Sequence, residues 1–388
     1  MKILFLEDNF PPYNNVGGAG TVASSLAYEL KKKGNDVFVI TSVQDKSNEG
    51  SVEDNGLKVF KIYSKYHIRW QAYLSLYNPR TVEKIKKIIE QISPDVVHAH
   101  NIHYYLSYHA LKLAKQSGAK VFLTAHDAML FHYGKVDNAN KISPWAQLKK
   151  YKLRYNPFRN LVIKSCLKYV DQIFAVSFAL KDALVQNGIK NITVIHNGID
   201  VNCWELAPSV VEGFKEKYGL LGKELVLFGG RISLAKGSRQ ALLALELVRQ
   251  KIPEAELMVL GREQLPGAEN LGWLSGEELK VAFSSSDVVI VPSLYLDPLP
   301  TVVLEAMASK KPVVGTCSGG TPEMIVDGQT GYIVDPSDTS LLAKRIIELL
   351  SDNSKAKSFG EAGFERVRKE FNLETQVNEL LNWYKSIN

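Results

Sequence analysis

The 388-residue chain is predicted to be an α/β protein of two Rossmann-like, doubly wound parallel-sheet domains facing each other across a cleft. Three observations carry this expectation. Short apolar runs alternate with longer helix-like segments along nearly the whole sequence. Most of the runs are continuous in Val, Ile, Leu and Phe, the pattern of strands buried on both faces between helix layers. The alternation occurs twice, broken by a Gly-, Asn- and Pro-containing stretch at 197–222, and the length suits two domains of roughly 150 residues or more.

In the first half the runs predict strands at 2–6, 36–41, 57–62, 95–100, 120–124, 172–176 and 192–196. Helical patterns lie between them at 21–33, 79–91, 105–116 and 178–186. In the second half strands are expected at 224–228, 256–260, 270–273, 288–291, 313–315 and 332–334. The intervening helices are expected at 238–250, 276–284, 302–308, 339–350 and 361–371. A last helical pattern, 374–387, carries Trp383 and Tyr384. Ligands of open α/β sheets sit beyond the carboxyl ends of the strands, so polar or Gly-rich residues just after each run are the candidates for chemistry.

Composition is that of a globular protein, 45% hydrophobic and 23% charged, which excludes collagen, coiled coil and wholesale disorder. No apolar run approaches the roughly 20 residues needed to cross a bilayer. Four apolar residues between Lys2 and Glu7 are too few for a signal-peptide core, so a cytoplasmic protein is expected. Cys166, Cys203 and Cys317 are odd in number and far apart, and are expected as buried small apolar residues. The net charge of +6 is uneven. Residues 1–197 hold 27 Lys+Arg against 15 Asp+Glu, residues 198–388 hold 20 against 26, and all eight histidines fall in the first half. Opposite signs imply domains with different partners, the basic one suited to nucleic acid, an anionic lipid or a phosphorylated acceptor.

Gly17-Gly18-Ala19-Gly20-Thr21 opens a helical pattern, where glycines and helix N–H groups can receive an anion. It is not a dinucleotide fingerprint: some eight residues separate it from the first strand, and the second strand ends without an acid. Phe228-Gly229-Gly230-Arg231 through Lys236-Gly237 follows the first strand of the second half. Arg231 and Lys236 on such a loop can grip a diphosphate, one as a planar fork and the other as a point charge. Asp297 lies in the Pro-rich loop after 288–291, and Glu305 about one turn into the next helix among apolar neighbours. A carboxylate there needs hydrogen-bond donors, such as ribose hydroxyls.

Together these motifs resemble the retaining GT-B glycosyltransferases of family 4, over nearly the whole chain. The resemblance rests on Gly17 and Gly18, on the G-G-R-x4-K-G loop with Arg231 and Lys236, on an E-x7-E pattern here running from Asp297 to Glu305, and on Gly319-Gly320-Thr321-Pro322-Glu323. Two positions depart from it: Asp297 is one methylene shorter than Glu, and Pro300 offers no N–H where glycine is usual. The resemblance implies a hexosyltransferase-type enzyme moving a sugar from a UDP- or GDP-sugar to a glycan or lipid-linked acceptor, with no metal and no further cofactor. No D-x-D triplet occurs in the chain. It implies that Arg231 and Lys236 neutralise the leaving diphosphate and Gly18 offers it an N–H, that Glu305 holds the ribose, and that Asp297 with the backbone of Leu299, Pro300 and Thr301 holds the sugar. His126 is implied against that sugar, with Arg231, Lys236 and Asp297 completing the catalytic set. The implied domains are an acceptor-binding 1–197, a donor-binding 198–370 and a terminal helix, 371–388, crossing back to the first.

Among the other histidines, strand alternation is expected to separate His98 from His100. His98 is read as packing, and His100 with Asn101, at the strand end, as acceptor-side residues. The stretch 145–168 holds Lys149, Lys150, Lys152, Arg154, Arg159, Lys164 and Lys168, no acid, and Trp145, Tyr151, Tyr155 and Phe158. Such a stretch can rest on an anionic membrane; an ordinary solvated basic face is the other reading, and nucleic acid is not an expected partner. Two further functions fit the same architecture, a nucleotide-sugar epimerase or phosphorylase and a non-catalytic nucleotide-sugar binder.

Overall fold

A computed structural model describes residues 1–13, 17–134 and 143–386. Two compact units emerge. The first holds the described residues up to His196 together with those from Leu373 onward, and the second is Asn197–Asn372.

The first unit is built on an eight-stranded sheet: β1 (Lys2–Leu6), β2 (Asp36–Val43), β3 (Gly50–Asp54), β4 (Leu57–Tyr63), β5 (Val96–Ala99), β6 (Lys120–Ala125), β7 (Gln172–Ala175) and β8 (Ile192–Val194). Their order is β3-β4-β2-β1-β5-β6-β7-β8, parallel except for the β3–β4 pair. The edge strand β3 was absent from the sequence reading, because Gly-Ser-Val-Glu-Asp is largely solvent-facing and carries no apolar run. On one face Ile3, Phe5, Val39, Phe122 and Phe174 pack against Val22, Leu26 and Leu30 of the helix Gly18–Lys32. The same core takes in Val377, Leu380 and Tyr384 of the helix Leu373–Ser386, so one face of this helix is part of the unit's interior. Ile387, where the helical pattern was expected to end, lies outside the described residues.

The second unit carries β9 (Glu224–Phe228), β10 (Ala255–Val259), β11 (Glu269–Asn270), β12 (Val288–Val291), β13 (Val313–Thr316) and β14 (Gly331–Val334). The sheet is wholly parallel, in the order β11-β10-β9-β12-β13-β14. Val226, Phe228, Leu257 and Ile290 pack on Leu245 and Val248 of one helix and on Leu342 and Ile346 of another. Every β12 residue is buried, as its unbroken Val-Val-Ile-Val run requires of a strand between two helix layers.

Several local expectations need correction, among them the helix expected from 105, which starts at His109, and the strand expected at 270–273, which is Glu269–Asn270. The presumed linker contains the helix Pro208–Lys217, started by proline at its first position. The helix expected at 361–371 starts eight residues earlier, at Asn353, because Asp352 caps it by accepting from the Lys355 N–H at 2.9 Å. Cys166 is buried, but Cys203 and Cys317 are exposed, since both lie outside the helix and strand interiors.

Candidate active site

In the second unit the strand order reverses between β9 and β12. Connections leave the sheet in opposite directions at such a point and open a crevice beyond the strand ends. The loop 229–237 follows β9, the loop 292–300 follows β12, and the turn 317–320 follows β13. Their backbones touch. Leu294 N–H donates to the Ala235 carbonyl at 2.8 Å and Gly320 N–H to the Asp297 carbonyl at 2.9 Å. At Gly237 (φ +82°) a Cβ would stand 2.0 Å from the Pro292 carbonyl oxygen, and at Gly319 (φ +71°) one would stand 2.1 Å from the Asp297 carbonyl oxygen. Only glycine meets both the approach and the left-handed backbone.

This framework brings Lys236 and Asp297 together. Lys236 closes a short turn, Leu234–Lys236, capped by Ser233. Its ammonium donates to Asp297 Oδ2 at 2.5 Å, and Ser293 Oγ donates to the same oxygen at 3.1 Å. Asp297 is buried and Lys236 nearly so. Burial pulls the ammonium's pKa down, but Asp297 and Tyr295 offset it and the net position is above the ordinary lysine value. Tyr295, whose ring centre is 5.4 Å from the ammonium, is pushed up to about 12 by burial and then by Asp297. Arg231 stands exposed on the same loop and makes no ion pair among the described residues.

Leu299 and Pro300 are buried, and Pro300 precedes the helix Thr301–Ala308, whose first turn no side chain caps. Glu305 lies one turn in. Part of its surface is accessible, yet its surroundings strip enough water to raise the carboxyl to about 7, against a smaller lowering by the Thr301 hydroxyl. With the Thr301 hydroxyl only partly offsetting its desolvation, a carboxyl so placed would gain from further hydroxyl donors.

The first unit reverses strand order between β1 and β5. Here stand two acids that the sequence reading passed over. Glu7 accepts from the Asn9 and Asn101 N–H groups at 3.1 and 3.0 Å. Asp8 accepts from Tyr104, Tyr105 and Leu106 N–H at 2.7, 2.9 and 2.8 Å. Both are buried and fix the loop after β5. The available signal was their position, two carboxylates directly after a buried strand. His100 and Asn101 are buried at the end of β5, while His126, just past β6, is half-buried and 2.9 Å from His100. His98 and His100 do not point apart: their rings stack with centres 4.4 Å apart, because residues two apart along a strand share a face. Gly17 and Gly18 are exposed at the start of the helix Gly18–Lys32, which also has no side-chain cap. Ser177 is the N-cap of the helix Phe178–Gln186.

The basic stretch forms the helix Pro144–Tyr151, the turn Lys152–Arg154 and the helix Arg159–Leu167, divided around Pro157. Trp145 and Phe158 are 79% and 66% exposed, as is Leu161 at 67%. Ile68 and Trp70 are also exposed, on the turn Ile68–Trp70 that packs beside Lys152–Arg154. Two members do not belong to this surface. Arg159 is fully buried, donating to the Met129 carbonyl beneath the Tyr133 ring, and Tyr155 packs with Ala72 and Tyr133. Among the described residues no helix is long and apolar enough to cross a membrane, and no group of three or more His, Cys, Asp or Glu is placed to hold a metal ion.

Two family models match the chain: Glycosyltransferase Family 4 over residues 16–202 and Glycosyl transferases group 1 over residues 211–366. Glycogen synthase of Mycobacterium tuberculosis is 26% identical, over 97% of this chain and 92% of that protein. Among solved structures, sucrose-phosphate synthase from Thermosynechococcus elongatus superposes with a TM-score of 0.78 at 20% identity, covering 99% of this chain and 98% of the other. HepE from Anabaena, solved in complex with UDP-glucose, has a TM-score of 0.74 at 20% identity with full coverage of both. These likenesses show the GT-B fold.

Proposed function

The chain belongs to glycosyltransferase family 4, and from that premise we propose that it moves a sugar from a nucleotide-diphosphate donor to a glycan or lipid-linked acceptor, with retention and without a metal ion. The observation that carries this reading is the buried Lys236–Asp297 pair at the strand-order reversal of the second unit. Cleaving a sugar from a nucleotide leaves negative charge on the diphosphate. Lys236 and Arg231 supply fixed positive charge for it, and preorganised charge acts on the transition state. The helix starts at Gly17–Gly18 and at Thr301 add backbone N–H groups at positive dipole ends.

On this reading Glu305 receives the ribose hydroxyls, Asp297 with the backbone of Leu299, Pro300 and Thr301 receives the sugar hydroxyls, and His126 contacts the transferred sugar. His100 and Asn101 serve the acceptor side. The first unit binds acceptor and the second binds donor. The donor is a UDP- or GDP-sugar, the former favoured by the UDP-glucose complex of HepE, and no other cofactor takes part. The protein works in the cytoplasm, resting peripherally on an anionic membrane through the exposed aromatic and basic residues of 145–168.

Thermal unfolding against UDP-, GDP- and ADP-sugars identifies the donor, since a specific ligand raises the transition by mass action. Arg231→Ala combined with Lys236→Ala is expected to abolish both transfer and donor hydrolysis. Unchanged turnover in that variant overturns the assignment.

A further inference from the structure

The second unit holds a cavity of about 760 Å³ apart from the crevice described above. Its wall takes in Leu221 and Gly222, Ser284, and the four residues from Ala308 to Lys311. These segments lie just before β9, β12 and β13, whereas the candidate site is built on the loops that follow the same three strands. The strands run parallel, so the cavity lies at their amino ends and the candidate site at their carboxyl ends. Its size is that of a small-molecule site.

Two neighbouring groups on this wall lack a partner among the described residues. Ser309 is 7% exposed, and its hydroxyl is buried without a hydrogen bond. The Lys311 ammonium makes no hydrogen bond or ion pair. Burial holds it below the ordinary lysine value; Asp287 offsets part of this, and Lys215, also on the wall, adds to it. Asp287 is itself engaged, accepting from the Leu225 N–H at 2.7 Å. Lys310 is taken too, 3.6 Å from Glu361 and 5.1 Å from the centre of the Phe364 ring, while Lys357 is exposed. A desolvated cation without a counter-charge is costly, and a phosphate would accept from both the ammonium and the hydroxyl. The rest of the wall suits a polyhydroxylated ring. Trp204 and Phe364 offer aromatic faces, and the carboxylates of Glu205 and Glu212 can accept from hydroxyls. Those same carboxylates would repel a second phosphate, which favours a monoester over a diphosphate.

We propose that this cavity binds a phosphorylated sugar, with the phosphate on Lys311, Lys215 and Ser309 and the sugar hydroxyls on Glu205 and Glu212. The helix Thr301–Ala308 connects it to the candidate site. It starts beside Pro300, and past its other end the Ser309 N–H donates to the Glu305 carbonyl at 3.0 Å. A ligand on Ser309 is therefore one hydrogen bond from Glu305. Its influence on the donor rests on the assignment of Glu305 to the ribose proposed above; the binding itself does not.

The test is thermal unfolding and calorimetric titration of the full chain with glucose 6-phosphate, glucose 1-phosphate and mannose 6-phosphate, beside glucose and inorganic phosphate. At least one hexose phosphate is expected to raise the midpoint by mass action, with glucose inactive and inorganic phosphate much weaker. Lys311→Met removes an uncompensated charge, so it is expected to fold at least as stably as the wild type. It is expected to weaken hexose phosphate binding roughly tenfold or more. Lys311→Arg retains most of the affinity, and Arg231→Ala, on the far side of the sheet, retains all of it. No shift with any hexose phosphate, or a shift that survives Lys311→Met, overturns the proposal. So does a shift abolished by Arg231→Ala, which places the ligand in the donor crevice, or an equal shift with inorganic phosphate, which removes the sugar. Donor affinity is then compared with and without the hexose phosphate. A change absent from Lys311→Met supports the link through the helix, and a constant donor affinity upholds the cavity and overturns that link.

Discussion

The Lys236 ammonium lies 2.5 Å from the Asp297 carboxylate, joining the loop after β9 to the loop after β12 across the strand-order reversal of the second unit. Removing one member leaves the other charge desolvated and unpaired. Asp297→Ala is expected to lower the unfolding free energy by about 3 kcal/mol, whereas Lys236→Met with Asp297→Leu recovers much of that loss while remaining inactive. Chemical denaturation of the single and double variants checks this. A double variant no more stable than Asp297→Ala would show that the pair is not desolvated as described.

Glu305 gives a pH dependence of known sign. Burial raises its carboxyl from about 4.5 to about 7 in the folded protein, so between those values the folded state holds a proton that the unfolded state has lost. Its contribution is complete below pH 4.5, fades as pH rises toward 7, and is level above it. Glu305→Gln is expected to remove this decline, which amounts to about 3 kcal/mol at 1.4 kcal/mol per pH unit. Stability curves of the two proteins between pH 4 and 8 make the comparison, and parallel curves would refute it. If ribose hydroxyls bind the ionised carboxylate, donor affinity also rises as pH increases through 7.

Gly319 tests how closely the backbones must approach. A Cβ there meets the Asp297 carbonyl oxygen at 2.1 Å on a backbone of φ +71°. Gly319→Ala is expected to cost at least about 2 kcal/mol and to displace the Asp297 loop, reducing donor turnover. Gly17 is the contrasting position, with open space and an ordinary φ of −96°. Gly17→Ala is expected to cost at most about 1 kcal/mol, the loss of a glycine N-cap, and equal losses at both sites would contradict this account.

The exposed apolar side chains Trp145, Phe158 and Leu161 stand among lysines. Sedimentation with vesicles rich in phosphatidylglycerol should carry the protein down at low salt and release it as salt screens the lysines. Trp145→Ser with Phe158→Ser and Leu161→Ser should abolish sedimentation without altering transfer to a soluble acceptor. Equal binding to neutral phosphatidylcholine vesicles would contradict a charge-assisted surface.

Much of this was legible in the sequence because the signals are local. Unbroken Val/Ile/Leu runs state that a strand is buried on both faces, as Val288–Val291 is. A glycine doublet beside Arg231, and Lys236 five residues later, read as a loop leaving a strand. Elements without an apolar signature escaped: β3 is polar and paired only at an edge, and the first turns of the helix Asn353–Glu370 face water. The charge of Arg159 read as surface, but its guanidinium found a carbonyl and a ring in the interior. Nothing in the order of residues marks such an environment.

The sequence by itself determined two doubly wound parallel sheets and the loops on which chemistry would sit, since hydrophobic period and glycine placement act over a few residues. Only the tertiary structure decided which side chains meet. Lys236 and Asp297 are 61 residues apart and Tyr384 and His98 are 286 apart. Such partners are chosen by strand order and helix docking, which depend on how the whole chain buries its apolar surface.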